Sequence, residues 1–531
     1  MDEEQLDRLN QQVEQKKKVN DFRGALNIVR KMLNFGPYHR ALYLVGANLI
    51  IIGDELRDKN IIKEGIEILQ KNFKKIISEE SYAPYVYYNL AKGYYALFKI
   101  RKDPYYVCFK QRTELNRAKD YYRKALEYNP QDNILLSQIW IELGNCFDDL
   151  GMVIDAMECY EEALKISPDD GFALGNKGMT LLNYASLISK HQGTFLIEAY
   201  SLLSQAIKCD LHNHAIDTFS KCLEDIISAF PNKKALDNPP EFLGYSIETD
   251  NNFERFLIEF CLKNGLYLNI CNFCQKCNEA IGDAVTISRM VMPIEDIISI
   301  NEENIKKISY FRFSAYLNQI KQDYVSSRFL LILSRYKDID LNFVDRNVSI
   351  IDTLDYSMHN IYIELIKLSF KNFYDILDKI AYFLNEYLEL GVVHDWEIDF
   401  RKIWYSNRGK KENKKVRKKI EEKKNLSLNA LFNIHLDFED GGTYENLRRT
   451  RNALTHRFVN IKLFQTMEDS ENMKEETLVK KTIELAKIVR NAILYLLYFV
   501  YIEESRKKKQ IGENVGVITP PKIPDDLKSS R

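Results

Sequence analysis

The stretch 137–170, SQIWIELGNCFDDLGMVIDAMECYEEALKISPDD, leaves the chain little choice of fold. Trp140, Leu143, Gly144 and Phe147 sit at helical spacing, and Ala156, Tyr160 and Ala163 repeat that spacing in a second segment. Gly144 and Ala156 are small where two antiparallel helices would cross closely, while Trp140, Phe147 and Tyr160 fill the space beside them. Pro168 ends the second helix, because proline lacks the amide donor that a helix interior needs. A single helical hairpin cannot bury its own apolar face, so a unit of this kind implies neighbours stacked on both sides.

These are the spacings of a tetratricopeptide repeat. Part of the pattern returns in AKDYYRKALEYNP, with Ala118, Tyr122, Ala125 and Pro130, and Gly93 supplies a first helix across an enlarged loop. Ala25, Val29, Met32 and Pro37 mark another unit near the start, and Gly178, Ala199, Leu203 and Ala206 a further degenerate one. Four or five irregular hairpins stack into an α-solenoid over residues 1–230, and the expected ligand of such an array is a protein or peptide.

Composition narrows the rest. Lys+Arg 75 against Asp+Glu 76 gives a net charge of -1, so any surface for a polyanion has to be local. The start, MDEEQLDRLNQQVEQKKK, has no apolar core of a signal peptide. The most apolar run, AILYLLYFVYI at 492–502, falls short of the roughly 20 residues that span a bilayer. Nine cysteines, an odd number, fit a reducing compartment. The expectation is a cytoplasmic protein that does not enter a membrane.

FPNKKALDNPPEF opens a connector over 231–300. It carries Cys271, Cys274 and Cys277 in CxxCxxC spacing, with Cys261 ten residues earlier. Four thiolates suffice for zinc, but three thiols at three-residue steps on a helix drift around its surface. They are read as buried free cysteines, and neither metal nor cofactor is assigned.

Residues 301–505 read as a bundle of long helices, at about 308–336, 355–388 and 474–505, with a shorter one starting near Thr443 or Tyr444 after the breaker EDGG; residues 506–531 read as a flexible tail. The chain is therefore all-α. Between the second and third helices lies HDWEIDFRKIWY, followed by SNRGKKENKKVRKKIEEKKN. The latter is either a solvated insertion or an arm drawing phosphates, with Lys414, Lys415, Arg417 and Lys418 as candidate RNA contacts.

The stretch RRTRNALTHRF at 448–458 holds the only histidine with an arginine five residues before it. Asn452 and His456, four apart, share a helix face. Arg448 and Arg449 lie a turn earlier and add candidate phosphate contacts. An arginine, an amide and an imidazole that titrates near neutrality suffice for RNA cleavage without metal. His456 moves the proton of the 2′-hydroxyl or of the leaving 5′-oxygen, Arg451 stabilises the pentacoordinate phosphorus, and Asn452 orients. One histidine does not readily serve as both base and acid, so two copies in a dimer are expected. One side of 492–502 is expected to face the second copy.

RNALTHRF resembles the R-N-x3-H form of the R-x4–6-H motif of the HEPN superfamily (higher eukaryotes and prokaryotes nucleotide-binding domains). The helix order of 300–505, HDWEIDFRKIWY and DKIAYFLNEYL are similar to a prokaryotic HEPN subfamily that carries tetratricopeptide-like repeats ahead of the domain. The resemblance implies a HEPN-type helical bundle, with Arg451, Asn452 and His456 in a metal-independent ribonuclease site paired across a homodimer through the C-terminal domain. It implies an RNA substrate and a role as a toxin or antiviral effector. The other reading is a non-catalytic protein that binds RNA or a nucleotide with the same helix. Family toxins held by nucleotidylation tend to carry Tyr two residues after the histidine; Phe458 stands there and has no hydroxyl to modify.

Overall fold

The computed structural model describes the chain except residues 1–2, 36–37, 102, 111–112, 189–190, 231–232, 239–243, 272–276, 288–289, 299–308, 353, 408–413, 465–468, 470, 513–514, 519–521 and 529–531. Two compact units divide it. One comprises Met1–Tyr184 with Gly193–Pro239, the other Ala185–Gln192 with Pro240–Arg531.

In the first unit, leaving aside single turns, the helices are α1 (Glu3–Lys18), α2 (Phe22–Met32), α3 (His39–Glu55), α4 (Lys59–Lys71), α5 (Ala83–Lys99) and α6 (Glu114–Glu127). They continue as α7 (Asn133–Asp149), α8 (Val153–Ile166), α9 (Gly171–Ser186), α10 (Gln192–Ala206) and α11 (Asn213–Ala229). Caps set the boundaries: Asp132 accepts from Ile134 and Leu135 to start α7, and Thr113 with Asn116 forms a reciprocal box that starts α6. Consecutive helices pair as hairpins, and the expected solenoid is present. Pro37 lies outside the described residues.

The small residues act as their spacing predicts. A Cβ on Gly144 would lie 2.6 Å from Tyr160 Cε1, and one on Gly178 2.8 Å from Leu203 Cγ. Tyr160 cannot swing aside freely, because it is buried and its hydroxyl donates to Asn145 Oδ1 at 2.8 Å. Gly144→Val is therefore expected to destabilise the first unit by about 1–3 kcal/mol, read as a lower midpoint in urea. Gly93 lies on α5, which packs along α6 as the first helix of that unit, while its own Cβ would meet Ile66 and Ile50 on α4 and α3. The α3–α4 hairpin itself had no counterpart in the sequence reading; Gly46 and Gly65 let its two backbones meet, a Cβ on Gly65 lying 2.7 Å from the Gly46 carbonyl oxygen.

The second unit contains α12 (Asn252–Asn264), β1 (Met290–Pro293), α13 (Ser309–Arg335), β2 (Ser357–Met358), α14 (Ile361–Tyr387), α15 (Leu426–Phe438), α16 (Glu445–His456), β3 (Asn460–Lys462), β4 (Asn472–Met473), α17 (Glu475–Ile511) and β5 (Val515–Ile518). The helices α13, α14 and α17 pack along one another, and α15 lies against α17. Pairing β2 antiparallel to β3 and β3 parallel to β4 makes a three-stranded patch just beyond α16.

The connector over 231–300 packs against α13, and two other expectations change. Arg328 on α13 donates to both Asp283 oxygens at 2.9 and 2.7 Å and to the Leu266 carbonyl at 2.9 Å, while Tyr324 donates to the same carbonyl at 3.1 Å. The residues after 505 are not a free tail, since α17 continues to Ile511 and β5 pairs antiparallel with β1. Nor does the run 492–502 offer a face to a second copy. Ala492–Leu496 and Tyr498–Val500 are buried within this chain, and only Leu497, Tyr501 and Ile502 are half-buried. By length and composition α17 is long and apolar enough to cross a membrane, but 78% of its apolar window is buried in the fold, as in a core helix.

Candidate active site

Helix α16 starts where two glycines let the chain reverse. Gly441 takes φ +78, and a Cβ on Gly442 would lie 2.4 Å from the Asp437 carbonyl oxygen at the end of α15. Leu447, Thr450 and Ala453, three apart, bury one face. Lys481 on α17 donates to Asn446 Oδ1 at 3.1 Å and to Thr450 Oγ1 at 3.2 Å, which fixes the helix's rotation.

That rotation separates the candidate residues. Arg451 turns inward: its guanidinium lies 5.1 Å above the Tyr374 ring and 3.4 Å from Asp375 Oδ1, both on α14. Asn452 and His456 are exposed and make no hydrogen bond among the described residues. Five residues on an α-helix amount to about 140° around the axis, so Arg451 and His456 of one chain do not converge. The structure brings Asn452 and His456 to one surface and places Arg451 beside it.

The positive charge expected at the start of the helix is largely countered. Arg448 pairs with Asp440 and, at 3.5 Å, with Glu445; Arg449 pairs with Glu445 at 2.7 Å. The Gly441 amide, followed by Arg449, lowers the Glu445 carboxyl below its ordinary value, so it stays charged. Among the described residues, the Nε atoms of both Arg448 and Arg451 are buried without a hydrogen-bond partner.

Residues that the sequence reading missed surround Arg451. Burial pushes Asp378 up to about 6, against the lowering by the Phe400 amide, which donates to it at 2.9 Å, and by Arg451. Burial likewise pushes Tyr374 up to about 12. A carboxyl raised from 3.8 favours the folded state when protonated, so stability falls as pH rises from about 4 to about 6. Asp378→Asn keeps an acceptor for Phe400 and removes that loss. It is expected to stabilise the protein by up to about 3 kcal/mol at pH 7 and by little near pH 4, measured by urea unfolding at both pH values.

HDWEIDFRKIWY packs with the described residues of the lysine-rich stretch. Trp404 is buried and donates to the Phe400 carbonyl at 2.7 Å; Arg401 bonds Glu439 at 3.1 Å. Tyr405 bridges Val416 as an antiparallel pair, and Ser406 donates to the Lys415 carbonyl at 2.9 Å. This corrects the reading of a free basic arm at two of its four candidates. Lys414 is engaged by Glu439 at 3.3 Å and by the Tyr405 ring at 4.8 Å, and Arg417 donates to the Ile403 carbonyl at 2.9 Å. Lys415 and Lys418 are exposed; residues 408–413 lie outside those described. Behind the hairpin, His435 is held neutral: burial, then Lys414 and Arg401, push it well below the ordinary imidazole value.

A cavity lined by Leu187, Ile188, Ile270, Val285, Leu494 and Tyr498 belongs to the second unit, and none of residues 444–458 lines it.

Family models agree with this architecture. A tetratricopeptide repeat model matches residues 137–170 and another matches 108–132. Among solved structures, a thermophilic TPR protein of Thermus thermophilus is 16% identical, over 41% of this chain and 98% of its own, with a TM-score of 0.31. A MamA protein is 21% identical over 38% and 92%, with a TM-score of 0.26, and Pseudomonas aeruginosa pilF is 12% identical over 44% and 95%, with a TM-score of 0.29. Comparison with curated proteins found no match. The LA2681-like HEPN model matches residues 305–503, a span that runs from the start of α13 into α17 and includes all of α16. The chain thus carries an LA2681-like HEPN domain together with tetratricopeptide repeats in its N-terminal half.

Proposed function

We propose that the chain is a metal-independent endoribonuclease, a prokaryotic toxin or antiviral effector whose repeats bind a protein partner that governs it. The observation that carries this reading is the end of α16, where Asn452 and His456 stand exposed beside Arg451 within a HEPN domain. His456 takes the proton of the 2′-hydroxyl or donates to the 5′-oxygen, and Arg451 stabilises the charge on phosphorus. The Arg451–Asp375 pair is weak, because Asp375 is largely exposed, so releasing Asp375 costs about 1 kcal/mol or less, with the stacking on Tyr374 given up in addition. Because Arg451 and His456 of one chain diverge, a homodimer that sets two α16 helices face to face completes the site. Purified protein incubated with total RNA in excess EDTA tests this: cleavage is expected to persist.

The inward turn of Arg451 also favours a second reading, a domain that binds RNA or a nucleotide without cutting it. Retention of RNA by a protein that leaves it intact, with and without divalent metal, is the result expected of that reading.

A further inference from the structure

The second unit holds a cluster that no property of α16 requires. The Sγ atoms of Cys271 and Cys277 are 3.6 Å apart, and a ring nitrogen of His191 lies within 4.8 Å of both. Such a separation is far beyond a disulfide bond of about 2.05 Å. It is close to the roughly 3.8 Å edge of a tetrahedron with zinc–sulfur bonds near 2.3 Å. The nitrogen needs to close by about 1 Å to complete the corresponding zinc–nitrogen edge.

The surroundings hold these three groups together. Asn269 is fully buried; its amide donates to the Ala280 carbonyl at 2.9 Å and to Gly282 at 3.1 Å, and its oxygen accepts from the Cys271 amide at 3.1 Å. This clip closes the loop so that Cys271 returns beside Cys277. His191 arrives from the separate segment Ala185–Gln192, which belongs to the same unit. It adopts φ +60, a left-handed backbone uncommon outside glycine. Its Nε2 lies 3.0 Å from Glu279 Oε2, and a carboxylate beside a ligating imidazole orients the ring.

Cys261 does not take part. Burial pushes its thiol up to about 11, and its neighbours are Tyr267, Arg328 and Asp283. The four-thiolate set considered from spacing is therefore not the one assembled. Cys274 lies outside the described residues.

We propose that Cys271, Cys277 and His191 supply three of the four ligands of a zinc ion, with Glu279 as a positioning residue. Two thiolates and an imidazole are a soft donor set that selects zinc over magnesium or calcium. The metal fastens the segment 185–192 to the loop 269–282. It plays no part in the proposed RNA chemistry, so the test reads metal and not cleavage.

Full-length protein purified without chelator is expected to hold one zinc per chain by elemental analysis. Exchange with cobalt should give tetrahedral d–d bands and a thiolate-to-cobalt charge-transfer band. Cys271→Ser, Cys277→Ser and His191→Ala should each lose the zinc, while Cys261→Ser keeps it. Glu279→Gln should keep the stoichiometry in excess zinc and weaken affinity about 10–100-fold. If a cysteine variant fails to fold, wild type still decides. Zinc should slow alkylation of Cys271 and Cys277, mapped by mass spectrometry, and leave Cys261 unchanged. Metal-free protein with no cobalt spectrum, zinc retained by a folded His191→Ala, or equal alkylation with and without zinc each overturns the proposal.

Discussion

Replacing His456 by alanine is expected to lower RNA cleavage by about 10²–10⁴-fold, the usual contribution of a positioned general acid or base. Stability should stay within about 1 kcal/mol of wild type, because the side chain is exposed and unbonded among the described residues. The separation between the two readouts is the point. Arg451→Ala should also abolish cleavage, but it removes the stacking on Tyr374 and the pair with Asp375, so a modest loss of stability accompanies it. Cleavage rates and urea midpoints of both variants check this. An unfolded His456→Ala would make the residue structural and remove it from the chemistry.

The second large effect concerns stability. Arg328 is 4% exposed and joins Asp283, Leu266 and the Tyr267 ring in one buried network. Asp283 also accepts from the Leu268 amide at 2.7 Å, so its carboxylate is fixed in place. Arg328→Ala leaves that charge without its main partner and should destabilise the second unit by about 3–5 kcal/mol. The loss should be visible as a lower unfolding midpoint and as faster hydrogen exchange over residues 265–285. Arg328→Ala with Asp283→Asn should recover part of it, because the stranded charge is gone.

What could be read from the residues depended on how densely a signal was written. Eight positions agree over 137–170, and Gly144 meets Tyr160 as their spacing requires. The α3–α4 hairpin went unseen because its contact rests on two glycines, Gly46 and Gly65, 19 residues apart and without the aromatic pattern. Helix α15 was hidden by the lysine-rich stretch before it and by its own burial. Ser427–His435 are buried on every side, so no polar face shows the helical period.

The site was half legible. The RNALTHRF spacing locates α16 and its exposed histidine, but a helix period alone does not say which face is solvent. The divergence of Arg451 from His456 and the pairing of Arg449 with Glu445 emerge only once the helix is placed against its neighbours. Tyr374 and Asp375 gave no signal, because on an amphipathic helix they look like any boundary residues, and Asp378, which opens DKIAYFLNEYL, gave no sign of its place beside Arg451. His191 lies 80 residues before Cys271, and no spacing rule joins them.

At the site proposed for the end of α16, the RNA's own 2′-hydroxyl attacks the adjacent phosphorus and expels the 5′-oxygen. The most direct measurement is the chemistry of the new 3′ ends when wild-type protein acts on a defined RNA in EDTA. The account predicts 2′,3′-cyclic phosphate ends, formed by wild type and absent with His456→Ala. Ends bearing a free 3′-hydroxyl, or cleavage that needs added divalent metal, would contradict it.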